Sequence, residues 1–570
     1  MLDEIFSKVL GADVRANRWQ RRLFDEFVAG RIPAVVKVPT GGGKTAIILV
    51  FLAALAEQAE RGVVTLPRRI ALVVDRRALV DQATGLAEKV LRAHQEGRLG
   101  TVTSALSRLS ASQMALAVST LRGELADNGN WSLDPSTPAI IVGTPDMIGS
   151  RLLFRGYGNG KVKRAQHAGL LGIDTLLVHD EAHLSPVFGA LIREIAVQAA
   201  PSASAVGRPP LTVLEMTATT DHPAPFDGTP QEGDDLDREL LRRLLAKKTL
   251  HRITLPDKPP QRSTQREKAK WEARQRAQAA MEIAEQAAKL KGSGEAIAVF
   301  LDKPDHVAIV ADHLIDAGVP LEQIAVLTGT MRGHERDLVV QSGTFARFLH
   351  SGAGGETVFL ICTSAGEIGL DVDADRILCD LVSVDRLIQR FEHGNRHGVR
   401  SKCPITLVEW SSLDLKLQAT LQLLATLPKS GCDASPLALS QLMTDPASYQ
   451  RAIPDQPRRR RLEMPIVEMW AMTSLPLNSP AQPEIFHIPE PDSFIHGLDE
   501  RVIDMELVWR EIPKSRIEEW LDVWPIRRQE VAKVPIAKAR SLFANEGGIG
   551  TCLLLSADGE TVRSIPISNI

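Results

Sequence analysis

Pro39-Thr40-Gly41-Gly42-Gly43-Lys44-Thr45 separates a short apolar run at residues 34–38 from a helical pattern that starts near Ala46. Glycines let a backbone turn tightly, so that successive N–H groups point inward at phosphate oxygens, and a following helix adds its positive end. In such a loop Lys44 reaches the terminal phosphates and Thr45 offers a hydroxyl to Mg²⁺. The strand-loop-helix context predicts a site for ATP and Mg²⁺ lined by Thr40, Gly41, Gly42, Gly43, Lys44 and Thr45.

Around this loop, from about residue 17 to residue 220, short β-branched runs alternate with amphipathic stretches, the pattern of a parallel sheet covered on both faces. Strands are expected at 34–38, 69–74, 139–142, 175–179 and 211–216. A polar, acidic stretch (221–237) and a segment dense in Gln, Ala, Glu, Lys and Arg (262–291) follow, the latter predicting a long, solvated connecting helix. A second alternating block predicts strands at 296–301, 323–327, 357–363, 376–381 and 405–408. The expected fold is α/β: two tandem RecA-like, doubly wound parallel-sheet lobes plus a smaller mixed C-terminal accessory domain. The expected boundaries are 1–225 for the first lobe, 226–293 for the linker and helix, 294–415 for the second lobe and 416–570 for the accessory region.

At 570 residues the chain is too long for one core, and its net charge of −3 assigns any nucleic-acid contact to local Lys and Arg rather than to a global field. Five scattered cysteines form no Cys-x-x-Cys pair, which argues against a zinc ribbon or disulfide framework and for a reducing cytoplasm. The longest apolar run, 46–56, is too short to span a bilayer. A soluble, cytoplasmic protein, monomeric when free, is expected.

The strand at 175–179 delivers Asp180-Glu181-Ala182-His183 at its carboxyl end, where a doubly wound sheet places its ligand crevice. Asp180 is the candidate Mg²⁺ holder, and Glu181 the candidate base for the water that attacks the γ-phosphate. His183, with Thr217 and Thr219 after the next strand and Gln389 in the second lobe, is assigned to coupling hydrolysis with lobe movement. In the second lobe Gly369 and Asp371 are read as ATP-binding, and Arg396 as the arginine that stabilises the charge developing on the γ-oxygens. Arg390 fits a phosphate contact and an interior salt bridge about equally. Gln20, ahead of the loop, has both donor and acceptor for an adenine edge. Candidates for gripping a phosphodiester are Arg76, Arg77, Arg122, Gly123, Thr144 and Pro145 in the first lobe, with Arg332 and Thr363 in the second. The run Arg458 to Arg461 reads as a solvated charge run.

Together these motifs resemble superfamily 2 helicases, whose Thr-Gly-x-Gly-Lys-Thr loop tolerates Val38 where the general pattern has Gly. Leu121-Arg122-Gly123, Glu367-Ile368-Gly369-Leu370-Asp371, Gln389-Arg390-Phe391 and Asn395-Arg396-His397-Gly398 look like the helicase part of the CRISPR-associated helicase-nuclease of type I systems. Asp433 to Leu439, Trp470 to Ser474, Ile495-His496-Gly497 and Val508-Trp509-Arg510 suggest its subtype I-G branch, formerly I-U. The resemblance implies recruitment by a guide-RNA surveillance complex and ATP-driven movement of single-stranded DNA into a His-Asp nuclease. The only His-Asp dipeptide here is His179-Asp180, so the nuclease is expected on a separate chain or lost by truncation. The family's last motif has Gly-Arg where this chain has Glu392-His393, from which slow turnover is expected unless Arg390 or Arg396 compensates. An ATP-dependent nucleic-acid clamp and a helicase of another defence or RNA pathway remain as alternatives.

Overall fold

The computed structural model describes residues 1–39, 41–75, 77–121, 129–156, 160–217, 226–230, 235–257, 260, 264–349, 355–364, 372–473, 489–498, 504–510, 523–524, 526–536, 538–540, 551–555 and 562–566. Seven strands build the first lobe: β1 (Val35–Lys37), β2 (Arg69–Val73), β3 (Ala117–Leu121), β4 (Ala139–Gly143), β5 (Thr175–His179), β6 (Thr212–Thr217) and β7 (Phe226–Asp227). They lie in the order β3-β4-β2-β5-β6-β1-β7, every pairing parallel. Alternation along each strand feeds two cores. Ile70, Leu72, Ile140 and Val178 face one layer of helices, whereas Ala71, Val73, Ile141 and Leu177 face the other. The helix after the glycine loop, Ile47–Glu60, is apolar on nearly every side and buried accordingly.

The second lobe contains β8 (Thr249–Thr254), β9 (Ala296–Phe300), β10 (Ile324–Leu327), β11 (Val358–Cys362), β12 (Arg376–Asp380) and β13 (Pro404–Glu409). Their order is β10-β11-β9-β12-β13-β8, again all parallel. The expected linker needs correcting. Strand β8 falls inside it yet pairs with β13, and the helix Gln265–Ala288 buries Trp271, Ala279, Ala280, Ile283, Ala284 and Ala287 in the second lobe's core. That stripe is mostly alanine, too weakly apolar to stand out from the surrounding charges.

The accessory region is shared between the lobes. Leu417, Leu424, Leu439 and Tyr449 join the second lobe's core, while Trp470, Phe494 and Ile495 join one face of the first. Beyond them lie two antiparallel pairs, β14 (Asp504–Leu507) with β15 (Ala532–Pro535) and β16 (Thr551–Leu555) with β17 (Val562–Pro566). No helix among the described residues is long and apolar enough to cross a membrane.

Candidate active site

The glycine loop leaves β1 and the acidic motif leaves β5, both at the carboxyl ends of parallel strands. Gly41 and Gly43 have φ of 75° and 74°, a left-handed conformation that costs glycine nothing. At Gly42 a Cβ would lie 2.5 Å from Val38 Cγ1 and 2.8 Å from the Pro39 carbonyl, so only glycine fits. Each glycine carbonyl is tied outward. Arg243 Nη1 donates to Gly41 O at 2.9 Å, Trp19 Nε1 to Gly42 O at 3.0 Å and Gln20 Nε2 to Gly43 O at 3.2 Å. Fixing the carbonyls on the outside orients the peptide planes of a phosphate-binding turn.

Inside the cleft, Lys44 Nζ meets Glu181 Oε1 at 2.5 Å, their side chains only 6% and 18% exposed. Glu181 has φ of 49°, a strained setting for a residue with a Cβ that presents its carboxylate to Lys44. Burial and the neighbouring Glu181 charge push the Asp180 carboxyl up to about 6. Burial also works to raise Glu181, but the charges of Lys44, His183 and Arg396 outweigh it and hold this carboxyl below its usual range. Burial works to lower Lys44, yet Glu181 and Asp180 keep its ammonium above the usual value, with help from Glu392. Arg396 and Glu392 belong to the second lobe, so charges of its last motif are felt at Glu181 and Lys44.

His183 Nδ1 lies 3.3 Å from Thr217 Oγ1 and 3.6 Å from Glu181 Oε2, joining the acidic motif to the end of β6. The loop bearing Arg396 follows the helix Val384–Glu392. Its shape is set by Asp373, which accepts from the Arg396 amide at 2.7 Å and pairs with Arg400 at 2.5 Å. Asn395, at φ of 44°, clasps the Arg400 backbone through its amide. Lys248 Nζ donates to the carbonyls of Phe391 and Glu392 at 2.8 and 3.3 Å, capping the helix end, and burial pushes its ammonium down to about 8.

One open alternative closes, at Arg390, and two expectations change, at Gln20 and His393. Arg390 is not at the phosphates: fully buried, it pairs with Asp380 Oδ1 at 2.7 Å and donates to the Asp380 carbonyl at 2.9 Å. Gln20 does not present its amide to a base in this conformation, because Oε1 accepts from the Asn17 amide at 2.7 Å while Nε2 holds Gly43. His393 is 2% exposed and stacks on Phe300 at 5.5 Å between ring centroids, a core residue instead of a neutral substitute at the γ-phosphate. Replacing it by arginine therefore places a cation in the second lobe's interior. His393→Arg is expected to lower unfolding free energy by about 3 kcal/mol without raising ATP turnover, as read by denaturant unfolding and steady-state kinetics.

Thr45 stays beside Lys44 in the short helical turn Lys44–Ala46, and Gln389 is half-buried on the helix before Arg396. Among the expected strand contacts, Thr144 caps the helix Pro145–Leu152 through Met147 N at 3.4 Å, and Pro145 and Thr363 are buried. Arg332 pairs with Glu335 at 2.6 Å and lies over the Trp509 ring at 4.5 Å. The side chains of Thr144 and Arg332 are thus engaged within the fold. Arg77 begins the helix Arg77–Gln95. Thr40, Arg76, Arg122, Gly123, Thr219, Gly369 and Asp371 lie outside the described residues. Sequence reasoning missed Trp19, Arg243, Lys248 and Asp373, single residues whose roles arise only from folding.

Residues 14–222 match the family model described as the res subunit of type III restriction enzymes. No curated protein matches the chain. Among solved structures, Cas3 of T. fusca with AMPPNP superposes with a TM-score of 0.55 at 15% identity, over 94% of this chain and 66% of that one. A CRISPR-associated protein gives 0.53 at 13% identity, over 99% and 70%. The DUF1998 helicase MrfA bound to DNA and AMPPNP gives 0.50 at 15% identity, over 74% and 52%. The chain thus spans about half to two-thirds of the first of these proteins, 52% and 66% of their lengths. At such identities the likeness is one of fold. The two parallel-sheet lobes of this chain thus share the fold of these solved structures.

Proposed function

We propose that this protein hydrolyses ATP in the cleft between its lobes to move along single-stranded DNA, in CRISPR interference, beside a His-Asp nuclease carried elsewhere. The observation that carries the reading is the cluster of Lys44, Asp180 and Glu181 at the ends of β1 and β5, with the Arg396 charge reaching it from the second lobe. Lys44 leaves Glu181 for the β- and γ-phosphates when nucleotide enters. Glu181, released, takes the proton of the attacking water, and Arg396 stabilises the charge spreading over the γ-oxygens. His183 and Thr217 carry the change at the acidic motif to the end of β6.

Asp180 and Thr45 are hard oxygen donors that would hold Mg²⁺, and two buried carboxylates against one lysine leave the pocket anionic enough to accept a dication. Bound with nucleotide, Mg²⁺ supplies positive charge at the phosphate oxygens. Among the described residues no group of three or more His, Cys, Asp or Glu forms a metal cluster of its own.

The test is ATP turnover with and without single-stranded DNA. Strong stimulation that disappears in Lys44→Ala is the expected result, and equal stimulation by RNA would move the assignment to an RNA pathway. The clamp reading is favoured by one observation: Arg390 and His393 are both buried in the second lobe, leaving Arg396 as the motif arginine that acts on Glu181. Tight ATP-dependent DNA binding with negligible turnover would establish the clamp instead.

A further inference from the structure

The chain passes between the lobes through residues 235–254, and both halves of the candidate site hang from this segment. Its helix of about two turns, Arg238–Leu244, is anchored to the first lobe. Leu240 is buried in that lobe's core and reaches within 3.7 Å of where a Gly42 Cβ would sit. Asp237 Oδ1 accepts from the Arg18 amide at 3.2 Å. Arg243, fixed by Glu239 at 2.5 Å, donates to the Gly41 carbonyl. The adjacent residue turns the other way, and Arg242 Nε donates to the His397 carbonyl at 3.0 Å, one residue beyond Arg396. Gly398 has φ of 66°, and a Cβ there would collide with the Arg242 carbonyl, so the two backbones lie in direct contact. Five residues after Arg242 the Lys247 carbonyl accepts from Asn395 Nδ2 at 3.4 Å, and Lys248 caps the helix that leads to Arg396.

We infer that this connecting segment sets the distance between the two halves of the site: Arg243 positions the glycine loop, and Arg242, with Lys247 and Lys248, positions the loop of Arg396. A seven-residue helix pinned at both ends transmits displacement without a lever arm. Because the contacts are to main-chain carbonyls, a shift of the glycine loop on nucleotide entry is passed directly to the Arg396 backbone. Displacements of about 1 Å at reacting groups cost on the order of 10²-fold in rate, so such a spacer has catalytic consequences.

The inference rests on the site hydrolysing ATP, and the experiment separates the two ideas. Arg243→Ala is expected to weaken AMPPNP binding about tenfold, because it loosens the loop that cradles phosphate. Arg242→Ala is expected to leave that affinity within about twofold but lower kcat about tenfold, and Arg242→Lys, which still reaches a carbonyl, to recover most of it. Hydrogen exchange supplies a readout independent of turnover: AMPPNP protects residues 391–398 in the wild type and Arg242→Lys but not in Arg242→Ala. Wild-type protein that binds AMPPNP without turnover sinks the proposed motor, and the exchange pattern then decides the spacer. Identical kinetic profiles for the two alanine variants, or undiminished protection in Arg242→Ala, overturn the spacer.

Discussion

Glu181→Gln is expected to lower ATP turnover about 10³-fold while tightening ATP binding about tenfold. The first effect follows from loss of the base. The second follows from the free protein's geometry, in which Lys44 is already occupied at 2.5 Å by Glu181 and nucleotide must displace a carboxylate to claim the lysine. A neutral amide competes less well, since hydrogen bonds to charged groups are worth about 1.5–3 kcal/mol. Lys44→Ala behaves oppositely: turnover and affinity both fall, and Asp180 and Glu181 are left buried without their cation. Breaking such a pair costs about 3 kcal/mol. Adding Glu181→Gln to Lys44→Ala should return part of that stability, because it removes one of the stranded charges. Stopped-flow nucleotide binding, steady-state ATPase rates and denaturant unfolding of the three variants check these signs. Weaker ATP binding by Glu181→Gln would show that the two side chains do not compete.

How far the sequence revealed this arrangement depended on whether local chemistry or tertiary placement decided each position. The glycine loop and the acidic motif were legible because each lies at a strand end and needs specific residue types, glycine at Gly42 for space and a carboxylate at Glu181 for chemistry. Most core strands were legible from continuous apolar runs. Strand β3 was not, since Ser119 and Thr120 interrupt the run, nor was β8, whose pattern alternates at the edge of its sheet. The helix Gln265–Ala288 was legible as a helix, but its burial was hidden by an alanine stripe. Arginines were the least legible of all. Arg390 and Arg396 sit in one motif with the same side chain, yet one is paired with Asp380 in the interior of its own lobe and the other contributes to the charge felt by Glu181. One lies on the helix Val384–Glu392 and the other on the loop that follows it, a difference of placement that residue type alone does not reveal.

Arg396→Ala is expected to reduce kcat about 10³-fold while changing AMPPNP affinity less than about threefold. Its charge is among those that hold the Glu181 carboxyl below its usual range, which is why it is the motif arginine proposed to act at the phosphates. An arginine that meets charge appearing on the γ-oxygens contributes mainly in the transition state, so its loss shows in kcat more than in ground-state binding. The loop survives the substitution, because Asp373 holds the residue through the backbone amide and Asn395 and Arg400 fix the remainder. Unfolding free energy should accordingly change by less than about 1 kcal/mol. Arg396→Lys should restore only a small part of the rate, since an ammonium offers a point charge where a planar fork spans two oxygens. Single-turnover hydrolysis measured with saturating DNA separates the chemical step from product release. If the step is unaffected in Arg396→Ala, the arginine is not at the phosphate, and closure of the second lobe onto the first serves strand binding alone.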